Sequence, residues 1–128
     1  MRPPILLAAA ILLCPLPAAA QVTGDAARGA KLYQQRCTAC HSLDANRIGP
    51  MHRGVFGRKS AGVPGYAYSD ALKGLNVVWN AQTLDKWLTN PPAMARGTAM
   101  AIRVPNPQDR ADLIAYLKSV SPASTVKK

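Results

Sequence analysis

The sequence predicts one all-α domain in which short helices and long loops close around a bound group. Three observations lead there. Segments 25–36 and 107–120 repeat apolar residues at helical spacing and carry capping residues at their starts. Between them, residues 42–65 hold five glycines and two prolines and little apolar period. A loop of that length in a small domain wraps around something or does the protein's work. At the junction stands Cys37-Thr38-Ala39-Cys40-His41.

On a helical turn, positions i and i+3 share a face. Both thiols can therefore add to the two vinyl groups of one haem while the adjacent imidazole reaches the iron. Taken alone, the five residues also suit three zinc ligands, with His52 as a fourth, or a redox dithiol.

From the start of the chain, Met1 and Arg2 precede an apolar run from Ile5 to Leu13, broken by Pro15 and Pro17 ahead of Ala18-Ala19-Ala20. This reads as a secretory signal peptide over 1–20, too short to span a bilayer, with cleavage after Ala20 and a mature domain over 21–128. Cys14 leaves with the signal, and Leu13 is too large for a lipoprotein site, so no lipid anchor is expected. Export to the periplasm follows. There a free Cys37–Cys40 pair tends to oxidise, which weakens the zinc reading and favours haem.

The mature chain of 108 residues buries only a modest core unless a haem enlarges it. With Arg2 gone, 15 Lys and Arg face six Asp and no Glu, a net charge of +9. Charges scattered singly on an exported chain argue against nucleic acid as partner. Neither a Ser–His–Asp order nor an acid–base pair is present.

The first helix runs from Asp25 to Arg36, capped by Thr23 or Asp25, with Ala26, Gly29, Ala30, Tyr33 and Cys37 along one face. Gly29 costs a helix interior about 1 kcal/mol against alanine, so another helix is expected to cross closely there. Ser69 caps a short helix through Lys73, ended by Gly74. Asn80 caps another that Leu84, Trp87 and Leu88 pin inward until Asn90-Pro91-Pro92 stops it. Residues 93–104 show no period and carry Met94, Gly97 and Met100. Pro107 opens the last helix after Asn106, with Leu113, Ile114, Leu117 and Val120 as its stripe, and the tail from Ser121 onward is expected to fray.

Gly24 to Val120 resembles class I c-type cytochromes of the mitochondrial cytochrome c and bacterial cytochrome c2 type. The matches fall in order: Gly24-Asp25 to His41; Gly49-Pro50 with Gly54 and Phe56-Gly57-Arg58-Lys59; Gly65 to Ala71; Trp79-Asn80; Asn90-Pro91; Gly97-Thr98-Ala99-Met100; and Asp112 to Leu117. The resemblance implies that family's fold, with first and last helices crossing through Gly29, Tyr33, Leu113 and Tyr116, and one covalent haem c per chain. It implies His41 and Met100 as axial ligands of the iron, with the Pro50 carbonyl receiving the imidazole N–H. Arg58, Tyr68 and Trp79 match the haem-propionate partners. Met94 is the competing methionine, and His52 reads as a hydrogen-bonded loop histidine.

The sequence departs from the family where Leu72 replaces an asparagine, Trp87 a tyrosine near the axial methionine, Ile102 a phenylalanine beside the haem edge, and Arg96 a proline. With both axial positions filled, the expected protein is a monomeric electron carrier, outside the membrane and not an enzyme. A small haem enzyme or ligand sensor with an open sixth site is the alternative. The implied partners are acidic docking sites on membrane redox complexes, a quinol-oxidising complex as donor and a terminal oxidase or photosynthetic reaction centre as acceptor. Lys31, Arg36 and Arg47 supply the expected docking charge.

Overall fold

The computed structural model describes Met1 and residues 22–123. The expected leader and its cut beside Gln21 lie outside the described residues. Within them the chain forms α1 (Ala26–Arg36), α2 (Asp70–Lys73), α3 (Ala81–Thr89), α4 (Pro91–Met94) and α5 (Pro107–Ser119), an all-α order.

Of the two caps considered for α1, Asp25 serves, its carboxylate accepting from the Arg28 N–H at 2.9 Å. Thr23 instead offers its carbonyl to the Gln108 amide at 2.9 Å. α1 crosses α5 where expected. A Cβ on Gly29 would occupy the place of the Asp112 carbonyl oxygen, so only glycine allows the two backbones to come this close. Tyr33 and Leu113 are buried beside the crossing, and the Tyr33 and Tyr116 rings lie 5.2 Å apart.

Asp112 locks the crossing and is itself buried, at 2% exposure. Its carboxylate accepts from the Asp25 N–H at 2.7 Å, the Arg28 guanidinium at 3.0 Å and the Gln108 amide at 2.9 Å. Burial pushes this carboxyl up, but the hydrogen bonds from Asp25, Gln108 and Arg28 and the Arg28 charge outweigh it, leaving the group below its ordinary value.

α3 begins with a reciprocal cap between Asn80 and Thr83 and buries Leu84, Trp87 and Leu88. Arg110 ties α5 to it, donating to Asp85 at 2.7 Å and to the Val104 carbonyl at 3.0 Å. The expected stop at Asn90-Pro91-Pro92 holds, since α3 ends at Thr89. The correction is that the same prolines open the one-turn α4, which reaches into the stretch expected to lack helical period, because prolines in a first helical turn give up no intrahelical hydrogen bond. Residues 124–128 of the tail expected to fray lie outside the described residues, and at its start Ser121 is held, its hydroxyl donating to the Leu117 carbonyl at 2.8 Å and accepting from the Phe56 N–H at 3.1 Å. It thereby ties the long loop to the end of α5.

Between α1 and α2 the chain from 37 to 69 has no helix. It carries the isolated β-bridge Lys59–Val78. There Gly57 N–H meets the Trp79 carbonyl at 2.6 Å and Trp79 N–H meets the Arg58 carbonyl at 2.9 Å, setting Trp79 beside Arg58.

Candidate functional site

The loop encloses a cavity of about 430 Å³, within the range of pockets that hold cofactors. Cys37, Cys40, His41, Pro50, Arg58, Tyr68, Trp79 and Met100 all line it, so residues spread over half of the chain converge on one space. His52, Leu72, Trp87 and Ile102 line it as well, whereas Met94 packs at the edge of the core away from it.

The attachment turn follows directly from the end of α1. Cys37 N–H closes on the Tyr33 carbonyl at 2.9 Å, and His41 N–H reaches back to the Cys37 carbonyl at 2.8 Å. One helical turn thus carries both thiols and the imidazole. Cys37 and Cys40 form no disulfide with each other. Burial pushes the Cys37 thiol up to about 11, with Arg36 opposing and Cys40 adding to the rise, so it stays protonated at neutral pH.

His41 Nδ1 lies 2.8 Å from the Pro50 carbonyl. A carbonyl only accepts, so Nδ1 carries the proton and Nε2 keeps its lone pair for a metal. Burial lowers the basicity of this ring and outweighs the opposing Pro50 bond. A Cβ on Gly49 would collide with the ring, so glycine at 49 is what lets the chain fold over it.

His52 arrives beside His41 because its N–H pairs with the Ser42 carbonyl at 3.0 Å, and Arg53 N–H pairs with the Leu43 carbonyl at 2.9 Å. The His41 and His52 rings stack at 3.9 Å with 18° between their planes. His52 Nδ1 also lies 3.1 Å from the Tyr33 hydroxyl. Burial, with His41 and Arg58 adding to it, holds His52 well below its ordinary value. Sequence reading found its hydrogen-bonded character but not the stack, which needs the fold-back at Gly49-Pro50. Among the described residues, no group of three or more His, Cys, Asp or Glu side chains is placed to hold a metal ion, so no zinc tetrahedron forms from this set.

On the methionine side, the Trp87 indole N–H points at Met100 Sδ from 3.3 Å. That occupies one sulfur lone pair and leaves another. Trp79 packs on Trp87 with ring centroids 5.4 Å apart. Arg58 donates to the Met51 carbonyl at 2.8 Å and the Arg53 carbonyl at 3.2 Å, with further N–H groups to spare. Tyr68 accepts from the Val63 N–H at 3.1 Å, which leaves its own proton for an acceptor. The donor set therefore fits a covalent haem: two thiols, a neutral imidazole, a thioether, and a cation and a hydroxyl able to meet carboxylates.

Comparison with known proteins agrees. The sequence model described as "Cytochrome c" matches residues 26–121. A cytochrome c from Cochliobolus lunatus is 46% identical over 99 residues, covering 74% of this chain and 92% of the relative. A cytochrome c2 from Rhodomicrobium vannielii is 41% identical over 104 residues, covering 78% and 82%. The solved structure of cytochrome cH from Methylobacterium extorquens superposes with a TM-score of 0.72 at 42% identity, over 75% of this chain and 99% of that one. With an attachment turn, a cavity for the group it attaches and relatives that match almost end to end, the chain belongs to the cytochrome c family of haem-binding electron carriers, in its class I branch.

Proposed function

We propose that the mature chain is a periplasmic monohaem electron carrier in which Cys37 and Cys40 hold one haem c and His41 and Met100 ligate its iron. The observation that carries this reading is the convergence of all four side chains on one cavity, with His41 Nδ1 engaged by Pro50 and Met100 Sδ approached by Trp87. A haem held there supplies one-electron exchange between ferric and ferrous iron, and thioether ligation favours the ferrous form. Pro50 fixes the tautomer that turns Nε2 to the metal, and Trp87 draws density from the sulfur. Arg58, Tyr68 and Trp79 receive the propionates. Leu72, Trp79, Leu84 and Leu88 keep water from the iron.

The docking face is the side of α1 and the attachment turn. Arg47 supports this best, since it donates to the Thr38 carbonyl at 2.7 Å and thus sits beside the attached cysteines. Arg36 shares its charge with Asp109 at 3.4 Å, an exposed pair of little strength. Such a face attracts acidic sites on a quinol-oxidising donor and on an oxidase or reaction-centre acceptor, and salt weakens the attraction.

Met100→Ala tests the ligand assignment. It is expected to abolish the weak red-region iron–thioether band, lower the potential and admit cyanide or carbon monoxide. If the parent protein already binds those ligands readily and is high-spin, the site is open and the chain is a haem enzyme or sensor. If the band survives Met100→Ala and vanishes in Met94→Ala, the ligand is Met94. Stopped-flow rates with an acidic-patch oxidase are expected to fall more in Arg47→Glu than in Lys128→Glu, and to fall with salt.

A further inference from the structure

The Tyr33–His52–His41 arrangement is not required by covalent attachment or by the Pro50 bond, and it lies on the buried face of the attachment turn. The Pro50 hydrogen bond fixes which nitrogen of His41 faces the metal, but hydrogen bonds to a carbonyl tolerate a broad range of directions. It therefore leaves the ring free to swing in its plane angle. A second flat ring at 3.9 Å and 18° removes that freedom, because rotation of either ring would drive its edge into the other.

His52 can serve only if it is itself fixed. Its backbone is tied at both ends, N–H to the Ser42 carbonyl at 3.0 Å and carbonyl to the Val55 N–H at 2.9 Å. Its ring is held by the Tyr33 hydroxyl at 3.1 Å. Tyr33 is 2% exposed and wedged at the α1–α5 crossing, tilted against Tyr116 at 5.2 Å and nearly edge-on to His52 at 5.6 Å. The rigid helix pair is thereby linked through one hydrogen bond to the plane of the ligand ring.

We propose that Tyr33 and His52 are positioning residues for the axial imidazole: Tyr33 locks the His52 ring, and His52 sets the plane of His41 relative to the haem. The inference rests on His41 being the axial ligand. Its consequence is electronic, since the plane of an axial imidazole sets which of the near-degenerate iron orbitals carries the unpaired electron of the ferric state.

The test uses the haem-loaded protein. Tyr33→Phe removes only the hydroxyl, His52→Leu removes the ring while keeping bulk, and His52→Phe restores a flat ring without the hydrogen bond. Ferric haem-methyl proton shifts and EPR g values report the ligand plane, which a role in packing alone would leave alone. The expected result is a redistribution of the methyl shifts and broadened g values in Tyr33→Phe and His52→Leu, with His52→Phe nearer the parent than His52→Leu and the iron–thioether band intact in all three. Parent-like shifts and g values in Tyr33→Phe or in His52→Leu would overturn the proposal. Tyr33→Phe keeps the test decisive should His52→Leu fail to fold. A parent-like low-spin spectrum in His41→Gly would instead overturn the ligand assignment beneath it.

Discussion

Around His41 the chain relies on hydrogen bonds, and around Met100 it relies on apolar packing. His41 is held by its own N–H, by Pro50 and by the His52 ring, with Arg58 bracing the carbonyls of Met51 and Arg53 nearby. Met100 hangs on a stretch without secondary structure, its N–H reaching only the Thr98 hydroxyl at 3.3 Å, and the next firm anchor is Val104 N–H on the Leu88 carbonyl at 2.8 Å. Its sulfur meets one donor, Trp87. Segments with few backbone hydrogen bonds open at lower free energy than those tied at many points. The difference teaches that, with His41 and Met100 as the proposed ligands, the imidazole side sets the geometry of the site and the thioether side is where the potential is adjusted.

The largest effect should come from removing what joins the two sides. In Cys37→Ala with Cys40→Ala the covalent group is lost, and circular dichroism is expected to show a largely unfolded chain, because so small a domain loses the centre of its core. A stably folded double variant would show that the two linings hold together unaided.

Next comes Asp112→Asn, which weakens the helix crossing behind His41 and leaves the Met100 stretch untouched. Loss of a charged acceptor for three donors is expected to cost about 2–4 kcal/mol in denaturant unfolding. Because the folded carboxyl titrates below the unfolded value of 3.8, its contribution is present above that pH and disappears as pH falls through the folded value. The parent should therefore lose stability below about 3.8 by a margin that Asp112→Asn does not share. Parallel acid limbs would show that other carboxylates govern that side.

The smallest effect is the most specific to the thioether side. Trp87→Phe deletes a hydrogen bond worth about 1 kcal/mol, which for one electron corresponds to about 40 mV. With Met100 as the proposed ligand, an N–H pointed at its sulfur favours the ferrous state, so voltammetry is expected to give a lower potential in the variant. An unchanged or raised potential would mean that the 3.3 Å contact does not tune the iron.

What the sequence alone determined was short in range. Asp25, Asn80 and Asn106 cap helices by bonds to residues two or three positions on, and the Cys37–His41 spacing presents its ligands on one turn whatever the rest of the chain does. The Gly29 crossing was legible because a glycine inside a helix demands a close neighbour. The order of matched segments carried the rest of the family reading. Only the tertiary structure decided the stack of His52 on His41, the Asp112 lock on Asp25 and the Trp87 contact with Met100, whose partners lie 11, 87 and 13 residues apart. It also decided α4, where two prolines that end one helix can equally open another, and the engagement of Ser121 by Phe56 across 65 residues. Hydrogen-bonding capacity is written in each side chain, but its partner is set by how the glycine-rich loop closes, and no local rule encodes that closure.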